Sequence, residues 1–269
     1  MIIEFTKMQG LGNDYIYINF IEHEFKEIYE NIPKICDRHF GIGADGVILI
    51  LKSKTADFKM RIFNADGSEA QMCGNGIRCV GKYLYDNKIT RKLELNIETA
   101  CGIKKLKLEE KNGVVENVQV DMGEPNFKSM KNELNIRIEN EDMKLKCVSM
   151  GNPHAVTTVE DLDEMNIENY GPIIENDTNF PERTNVEFVE ILDENNIKMR
   201  VWERGAKETL ACGTGACASV VICNISGYTN RLVNVYLLGG TLTIYWNEID
   251  NHVYMKGPAQ TVFKGMIEI

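Results

Sequence analysis

Residues 63–76 read FNADGSEAQMCGNG and residues 202–215 read WERGAKETLACGTG, and the two stretches are copies of one motif. Placed one above the other at an offset of 139 residues, they match at a glutamate, a cysteine and both glycines that follow the cysteine. The same offset aligns Gly12-Asn13 with Gly151-Asn152 and Gly46-Val47 with Asn185-Val186. Several matches in one register indicate an internal repeat. The sequence therefore predicts a duplicated domain.

The secondary structure of each copy is predicted to be mostly β. Short segments rich in β-branched and aromatic residues, such as residues 46–51 and 185–190, are typical of strands. The clearest helices follow the two motifs, from Ile77 to about Asp86 and from Ala216 to about Ser226. The predicted fold class is therefore mixed α/β (α+β), with two pseudo-symmetric halves that each contain one principal helix.

The boundaries of the halves are predicted from the repeat and from the turn residues between strands. The N-terminal half spans residues 1–118 and carries Cys73, and the C-terminal half spans residues 119–257 and carries Cys212. Residues 258–269 are predicted to form a C-terminal strand that returns to the N-terminal half.

The composition excludes several classes of protein. The 269 residues include 40 acidic and 30 basic side chains, which gives a net charge of −10. Proteins that bind nucleic acid present clustered lysine and arginine, so a nucleic-acid partner is not expected. The sequence starts without a signal-peptide pattern, and no apolar run approaches the ~20 residues of a membrane span. We expect a cytoplasmic protein without a membrane partner.

The cysteines of the chain number eight, at positions 36, 73, 79, 101, 147, 212, 217 and 223. Disulfide frameworks belong to short secreted chains, and zinc sites show paired cysteines or clustered histidines. The spacings here fit neither pattern, and the four histidines are scattered. We expect no metal site. Six of the thiols are expected to be buried and inert, whereas Cys73 and Cys212 stand out by their position in the repeat.

A cysteine followed by Gly-x-Gly and a helix forms a specific chemical environment. The free N–H groups at a helix start bind an anion such as a carboxylate, and the same field lowers the pKa of a nearby thiol. Two such units facing each other could hold one carboxylate with a thiol on each side of the adjacent carbon. One thiolate would remove a proton from one face and the opposite thiol would return a proton to the other. This chemistry needs neither pyridoxal phosphate nor a metal.

Several segments resemble diaminopimelate epimerase, and the resemblance runs along nearly the whole chain. The segments are residues 10–14, 64–76, 150–154, 185–188, 203–216 and 256–259. The resemblance implies a pyridoxal-independent epimerase without a cofactor that interconverts L,L- and meso-diaminopimelate, in the synthesis of lysine and cell-wall precursors. It also implies halves that are each a β-barrel-like sheet wrapped around a central helix, a small-molecule substrate and a homodimer.

The family motifs also imply roles for individual residues. Cys73 becomes the base towards the L centre and Cys212 the proton donor, with the roles exchanged in the reverse direction. The reacting carboxylate would bind at Gly74, Asn75, Gly213 and Thr214, and the reacting ammonium at Glu203. The distal amino-acid head would bind at Asn13, Asn64, Asn152, Asn185 and the Arg204 guanidinium. His154 and Glu203 are expected to tune the thiol pKa values.

Two positions depart from the family pattern. Lys207 stands where the family usually has glycine, so we expect the loop before Cys212 to close differently. Gly46 occupies a place where many members have a glutamine that touches substrate, so we expect weaker or broader recognition of the distal head.

Three other functions are compatible with parts of the sequence. The same two-thiol chemistry could racemise another amino acid, such as histidine or proline. A thiol hydrolase could use one cysteine with His154 as its base, but this hypothesis leaves the repeat unexplained. A noncatalytic binding module would tolerate serine at both cysteine positions.

Overall fold

A computed structural model describes residues 2–128, 131–138 and 141–269 of the chain. The chain divides into two compact units. The first comprises residues 1–120 and 257–269, and the second comprises Asp121–Lys256. None of the helices in the described residues has the length and apolar composition needed to cross a membrane.

The first unit is built on one sheet. Its elements are β1 (Ile2–Gly10), β2 (Asn13–Asn19), α1 (Ile28–Cys36), β3 (Gly46–Leu51), β4 (Phe58–Asn64), β5 (Glu69–Ala70), α2 (Gly74–Asp86), β6 (Glu94–Thr99), β7 (Gly102–Lys111), β8 (Val114–Gly123) and the C-terminal β18 (Gln260–Glu268). The strands pair in the order β18-β1-β2-β3-β4-β6-β7-β8, with the short β5 on β4. The β2–β3 and β4–β6 pairs are parallel, and the other pairs are antiparallel.

The second unit repeats this topology. Its elements are β9 (Glu133–Ile138), β10 (Glu141–Ser149), β11 (Pro153–Thr158), α3 (Ile167–Glu175), β12 (Asn185–Asp193), β13 (Asn196–Glu203), β14 (Lys207–Thr209), α4 (Gly213–Ile225), β15 (Leu232–Leu237), β16 (Gly240–Trp246) and β17 (Val253–Pro258). The order is β9-β10-β11-β12-β13-β15-β16-β17, with β14 on β13. Here too the third and fifth pairs in the order, β11–β12 and β13–β15, are parallel.

The repeat extends to the pairing of individual residues. Val47 pairs with Phe63 in the first unit, and Val186 pairs with Trp202 in the second, so both partners are shifted by 139 positions. After the principal helices the shift becomes 138, because Leu95 pairs with Leu106 whereas Val233 pairs with Ile244. The second unit therefore lacks one residue between α4 and β15.

The principal helix of each unit lies in its core. Every residue of α4 from Gly215 to Cys223 is buried, and the helix contacts β10 to β13, β15 and β16. In the first unit, α2 buries Ile77, Val80 and Leu84 and contacts β1, β2, β7 and β18. A helix that is apolar on all sides must be enclosed by other elements. The predicted mixed α/β fold, with a large sheet and few helices, is confirmed.

Both principal helices begin earlier than the sequence predicts. The first residue of α2 is Gly74 and that of α4 is Gly213, three positions before the predicted starts. The reason is a cap: the preceding cysteine accepts a hydrogen bond from a first-turn N–H group, which serine or asparagine does more often.

The hairpin before each cysteine is braced by the same ion pair. Arg61 binds both carboxylate oxygens of Glu69 at 2.7 and 2.9 Å. Arg200 binds Glu208 in the same way at 2.7 and 3.0 Å. Two parallel N–H···O bonds fix direction as well as distance, so β5 and β14 are held on β4 and β13 in matching positions.

Candidate active site

The first half-site is formed around Cys73, the N-cap of α2. Its backbone is extended, with φ −140° and ψ 113°, and Sγ accepts a hydrogen bond from the Gly76 N–H at 3.3 Å. A Cβ atom on Gly76 would lie 2.6 Å from Cδ1 of Ile48 and 3.5 Å from Sγ. The second glycine of the motif is therefore required for the turn to pack against β3 with the sulfur at its N-terminus.

Asn13 and Tyr15, on β2, lie beside this thiol. The Cys73 thiol donates to Oδ1 of Asn13 at 3.1 Å, and Nδ2 of Asn13 donates to Oδ2 of Asp45 at 2.8 Å. Negative charge on Cys73, together with burial, raises the pKa of the Tyr15 hydroxyl. The structure thus joins two of the predicted site residues, Asn13 and Cys73, by a direct hydrogen bond.

The other predicted residues of this half lie on the neighbouring strand end and in the first helical turn. Gly74 and Asn75 are the first two residues of α2, and Asn75 is buried. Asn64 is the last residue of β4, and its Nδ2 donates to Oγ of Ser68 at 3.0 Å. The Asn64 side chain is exposed.

The second half-site repeats the geometry around Cys212, the N-cap of α4. Sγ accepts a hydrogen bond from the Gly215 N–H at 3.4 Å and lies 3.5 Å from Oγ1 of Thr214. Gly213 and Thr214 form the first turn of the helix. A Cβ on Gly215 would lie 2.7 Å from Oε1 of Glu187, just as one on Gly76 would meet Ile48. The two half-sites therefore share a backbone and differ in the side chain beneath it.

Glu187 is a residue of this half-site that sequence reasoning missed. Its Oε1 lies 2.6 Å from Nδ1 of His154, and both side chains are fully buried. The other ring nitrogen, Nε2, lies 3.0 Å from Oδ1 of Asn152, whose Nδ2 donates to Oγ1 of Thr214 at 3.3 Å. The signal was present in the repeat, because Glu187 is a charged residue where the first copy has the apolar Ile48.

The electrostatics of this half-site favour neutral groups. Burial raises the pKa of Glu203, although a hydrogen bond from Thr209 at 2.5 Å and the nearby His154 oppose the shift. Burial, followed by the carboxylates of Glu203 and Glu187, raises the pKa of the Cys212 thiol well above its ordinary value. Desolvation penalises the charged form of each group, and a carboxylate penalises a thiolate beside it.

Asn185 and Arg204 are held together on the backbone. Asn185 donates from Nδ2 to the carbonyl of Pro153 at 2.8 Å, and its Oδ1 accepts the Arg204 N–H at 2.9 Å. The Arg204 guanidinium donates to the carbonyl of Glu182 at 2.9 Å, in an exposed position. Each Asn185 amide atom retains one further bonding position.

The two departures from the family pattern have structural explanations. Lys207 has φ +65°, a conformation that glycine adopts without strain, so the family's glycine suits this backbone. At Gly46 a Cβ would collide with the carbonyl oxygen of Phe63 and lie 2.9 Å from Cε1 of Tyr15. The backbone therefore has no room for a side chain at Gly46, and weaker or broader recognition of the distal head stays a prediction.

A metal centre was not expected, and the described ranges contain no group of three histidine, cysteine, aspartate or glutamate side chains that could hold a metal ion. None of the six remaining cysteines is the N-cap of a principal helix. Burial raises the pKa of Cys36 and Cys79 to about 11 and that of Cys147 and Cys223 to about 12. Cys101 is exposed.

Comparison with known proteins adds independent information. A family model described as "Diaminopimelate epimerase" matches residues 5–128 and 146–262. A diaminopimelate epimerase of Methanococcus maripaludis is 54% identical over 279 residues, covering 99% of this chain and 100% of that protein. One from Acetivibrio thermocellus is 52% identical, covering 99% of each.

Solved structures with similar folds are more distant in sequence. A PhzF-family phenazine biosynthesis protein from Bacillus anthracis has a TM-score of 0.76 at 16% identity, over 100% of both chains. A hydroxyproline epimerase from Agrobacterium vitis has a TM-score of 0.75 at 14% identity, over 99% of this chain and 91% of that one. At these identities the similarity shows the fold alone, so it does not favour the alternative of a proline or histidine racemase. The family model and the relatives above 50% identity show that the chain belongs to the diaminopimelate epimerase family and is an isomerase.

Proposed function

We propose that this isomerase interconverts L,L- and meso-diaminopimelate by moving the α-proton between two thiols. The observation that carries the proposal is the equivalence of Cys73 and Cys212, which cap the principal helices of two copies of one fold. In the L,L to meso direction Cys73 is the base and Cys212 the proton donor. In the reverse direction the roles exchange, since the same carbanion connects both epimers.

The reacting carboxylate is proposed to bind the first helical turns. Gly74 and Asn75 in α2, and Gly213 and Thr214 in α4, carry backbone N–H groups that no preceding helical residue can bond. Such groups, at the positive end of the helix, stabilise the charge that develops on a carboxylate as the α-carbon loses its proton. This stabilisation replaces the electron sink that a pyridoxal cofactor would supply.

Glu203 is proposed to receive the reacting ammonium. Burial raises the pKa of this carboxyl group in the free protein, and a bound ammonium would restore the charged form. Pairing Glu203 with a cation also removes part of the repulsion that penalises a Cys212 thiolate. In this way Glu203 and His154 adjust the pKa of the Cys212 thiol. The raised pKa of Cys212 fits a group that begins the L,L to meso reaction with its proton in place.

The distal amino-acid head is proposed to bind a set of amides and one guanidinium. The set is Asn13, Asn64, Asn152, Asn185 and Arg204. Its carboxylate suits the fork-shaped donor of Arg204, and its ammonium suits the amide oxygens. Because Asn185 accepts the Arg204 N–H, it also fixes the backbone from which the guanidinium projects.

The cellular setting follows from the family reaction. We propose a cytoplasmic enzyme of lysine and peptidoglycan-precursor biosynthesis that acts as a homodimer without a cofactor. Apolar side chains are exposed along the two paired strands β1 and β18, namely Ile2, Val262, Phe263 and Met266. Such a patch supports a subunit interface. Light scattering after gel filtration tests it, and a monomer at micromolar concentration would contradict the dimer.

The substrate is tested by following stereochemistry. Reduced protein is incubated separately with L,L-diaminopimelate, L-histidine and L-proline, and each product is resolved by chiral chromatography. We expect inversion of diaminopimelate alone, and loss of inversion in Cys73→Ala and Cys212→Ala. Inversion of histidine or proline instead would support the alternative racemase. Normal turnover by either single-thiol variant would overturn the two-thiol proposal. A thiol hydrolase would invert none of the three substrates.

A further inference from the structure

The side-chain amide of Asn13 is held between a carboxylate and a thiol. Its Nδ2 lies 2.8 Å from Oδ2 of Asp45, and its Oδ1 lies 3.1 Å from Sγ of Cys73. An ionised carboxylate only accepts hydrogen bonds, so the amine end of the amide must face Asp45. The oxygen end is thereby directed at Cys73.

Asp45 is itself fixed. Its Oδ1 accepts from Nη2 of Arg38 at 2.8 Å, and its Oδ2 accepts from the Asp14 N–H at 3.1 Å as well as from Asn13. Its own N–H donates to the carbonyl of Asp14 at 2.9 Å. The carboxylate therefore cannot turn away from Asn13 without losing its bonds to Arg38 and to the Asp14 N–H.

The orientation of Asn13 decides which hydrogen lies next to the sulfur. Because Oδ1 carries no hydrogen, only the thiol hydrogen of Cys73 can form the contact. A thiolate would instead face a carbonyl oxygen, which is repulsive. The Gly76 N–H and the Tyr15 hydroxyl also face Cys73, and neither changes the sign of the contact with Asn13.

The second half-site has no carboxylate at the position equivalent to Asp45. The residue that matches Asp45 under the repeat is Thr184, whose hydroxyl donates to the backbone carbonyl of Asn185. The matching asparagine, Asn152, directs its oxygen at His154 and its amine at Thr214. The Thr214 hydroxyl also lies 3.5 Å from Sγ of Cys212, and it can donate to that sulfur or accept from it. Cys73 therefore faces an amide oxygen that can only accept, whereas Cys212 faces a hydroxyl that can do either.

We propose that Asp45 is a positioning residue that orients the Asn13 amide so that its oxygen holds the proton on Cys73 in the free enzyme. The inference rests on the proposed function in one respect, that Cys73 exchanges a proton with substrate. A substrate ammonium bonded to Asn13 takes that oxygen as its own acceptor, and the thiol proton can then pass to water. The thiol is thus kept in its less reactive form until the site is occupied.

The test compares alkylation rates of Cys73 in free enzyme. Iodoacetamide reacts with thiolates, and peptide mass spectrometry reports each cysteine separately at pH 7.5. In Asp45→Asn the new amide can donate to Asn13, which lets Asn13 turn its amine to the sulfur. We expect alkylation of Cys73 to rise about two- to tenfold, the effect of one hydrogen bond of ordinary strength, with Cys212 unchanged.

Two controls separate orientation from charge. Asp14→Asn removes a carboxylate from the same cluster of Lys7, Arg38 and Asp45 without freeing the Asn13 amide. Arg38→Met keeps the Asp45 carboxylate. Cys73 should react at the wild-type rate in Arg38→Met and should respond less in Asp14→Asn than in Asp45→Asn. An equal rise in Asp14→Asn, or no rise in a folded Asp45→Asn, would overturn the proposal.

A measurement on the unaltered chain keeps the proposal testable if Asp45→Asn fails to fold. In protein labelled with [3-¹³C]cysteine, the Cβ resonance of Cys73, assigned with Cys73→Ser, should have the shift of a thiol at pH 7.5. A thiolate shift would contradict the proposal. Neither measurement requires turnover, so both outcomes are distinct from a failure to epimerise diaminopimelate.

Discussion

His154 Nδ1 lies 2.6 Å from Glu187 Oε1 in a pair that is wholly buried. The matching residues of the first unit are Tyr15 and Ile48. The second unit therefore has a histidine and a carboxylate where the first has a phenol and an alkyl side chain. Among the described residues, none bonds to Oε2 of Glu187. The buried Glu187 carboxylate therefore depends on its hydrogen bond with His154.

Removing one partner of this pair should be costly. We expect His154→Ala to lower the free energy of unfolding by about 3 kcal/mol, because a buried carboxylate then loses its partner. Glu187→Gln keeps an acceptor for Nδ1 and should cost only about 1 kcal/mol. Urea titration measures both. The control is the double variant His154→Tyr with Glu187→Ile, which copies the first unit and should be more stable than His154→Ala. Equal losses in the two single variants would contradict a compensated pair.

The reactivity of Cys212 should depend on Glu203. Since burial and the Glu203 and Glu187 carboxylates raise the pKa of this thiol, its alkylation should begin only at higher pH than for an ordinary thiol. Glu203→Gln removes one negative charge and should shift the pH profile of alkylation to lower pH. Site-resolved mass spectrometry across pH 7 to 11 measures the shift, with Cys101 as an exposed reference. A profile that moves to higher pH, or stays fixed, would show that the Glu203 charge does not act on the thiol.

Buried thiols should make the protein sensitive to alkali. Burial raises the pKa of Cys147 to about 12, whereas an unfolded cysteine ionises at about 8.5. The unfolded chain therefore releases the proton first as pH rises, and stability is lost above the unfolded pKa. We expect the free energy of unfolding to fall between pH 8.5 and 10, and to fall less steeply in Cys147→Val. The exposed Cys101→Ser should not change the slope. A slope in Cys147→Val equal to that of the parent would refute this origin.

A side chain at Gly46 should destabilise the first unit. The added Cβ of Gly46→Ala meets the carbonyl oxygen of Phe63, which belongs to the backbone of the paired strand and cannot swing aside. Overpacking of this kind costs about 1–3 kcal/mol. Gly113→Ala is the control, because a Cβ there meets nothing within 4 Å and its cost arises from the positive φ alone. A Gly46→Ala variant as stable as the parent would mean that the strand can shift.

The repeat could be predicted because it depends on matched residues that the sequence displays. The offset of 139 aligns the cysteine motifs, and it also describes the pairing of Val47 with Phe63 and of Val186 with Trp202. The missing residue between α4 and β15 could not be predicted, because no matched motif follows the helices. The early start of α2 and α4 was missed for a different reason, since cysteine is an uncommon N-cap.

Glu187 illustrates what an alternating pattern cannot give. A strand with Val186 and Phe188 on one face suggests that Glu187 points to solvent. In the structure Val186 and Phe188 pack in the core cluster that includes α3, and Glu187 lies beneath the first turn of α4. Both faces of β12 are covered, so the charge is buried. The roles of Asn13, Asn64, Asn152, Asn185 and Arg204 toward substrate stay predictions.

The two-thiol mechanism is tested most directly by the position of solvent deuterium during the first turnovers. L,L-diaminopimelate is incubated in D2O with the reduced enzyme, the epimers are separated, and the α-deuterium of each is measured before the reverse reaction contributes. Because one thiol takes the proton and the opposite thiol delivers one from solvent, meso product should carry deuterium at the inverted centre while recovered L,L substrate carries none. Deuterium that enters recovered substrate as fast as product, or product that retains the original proton, would contradict the account.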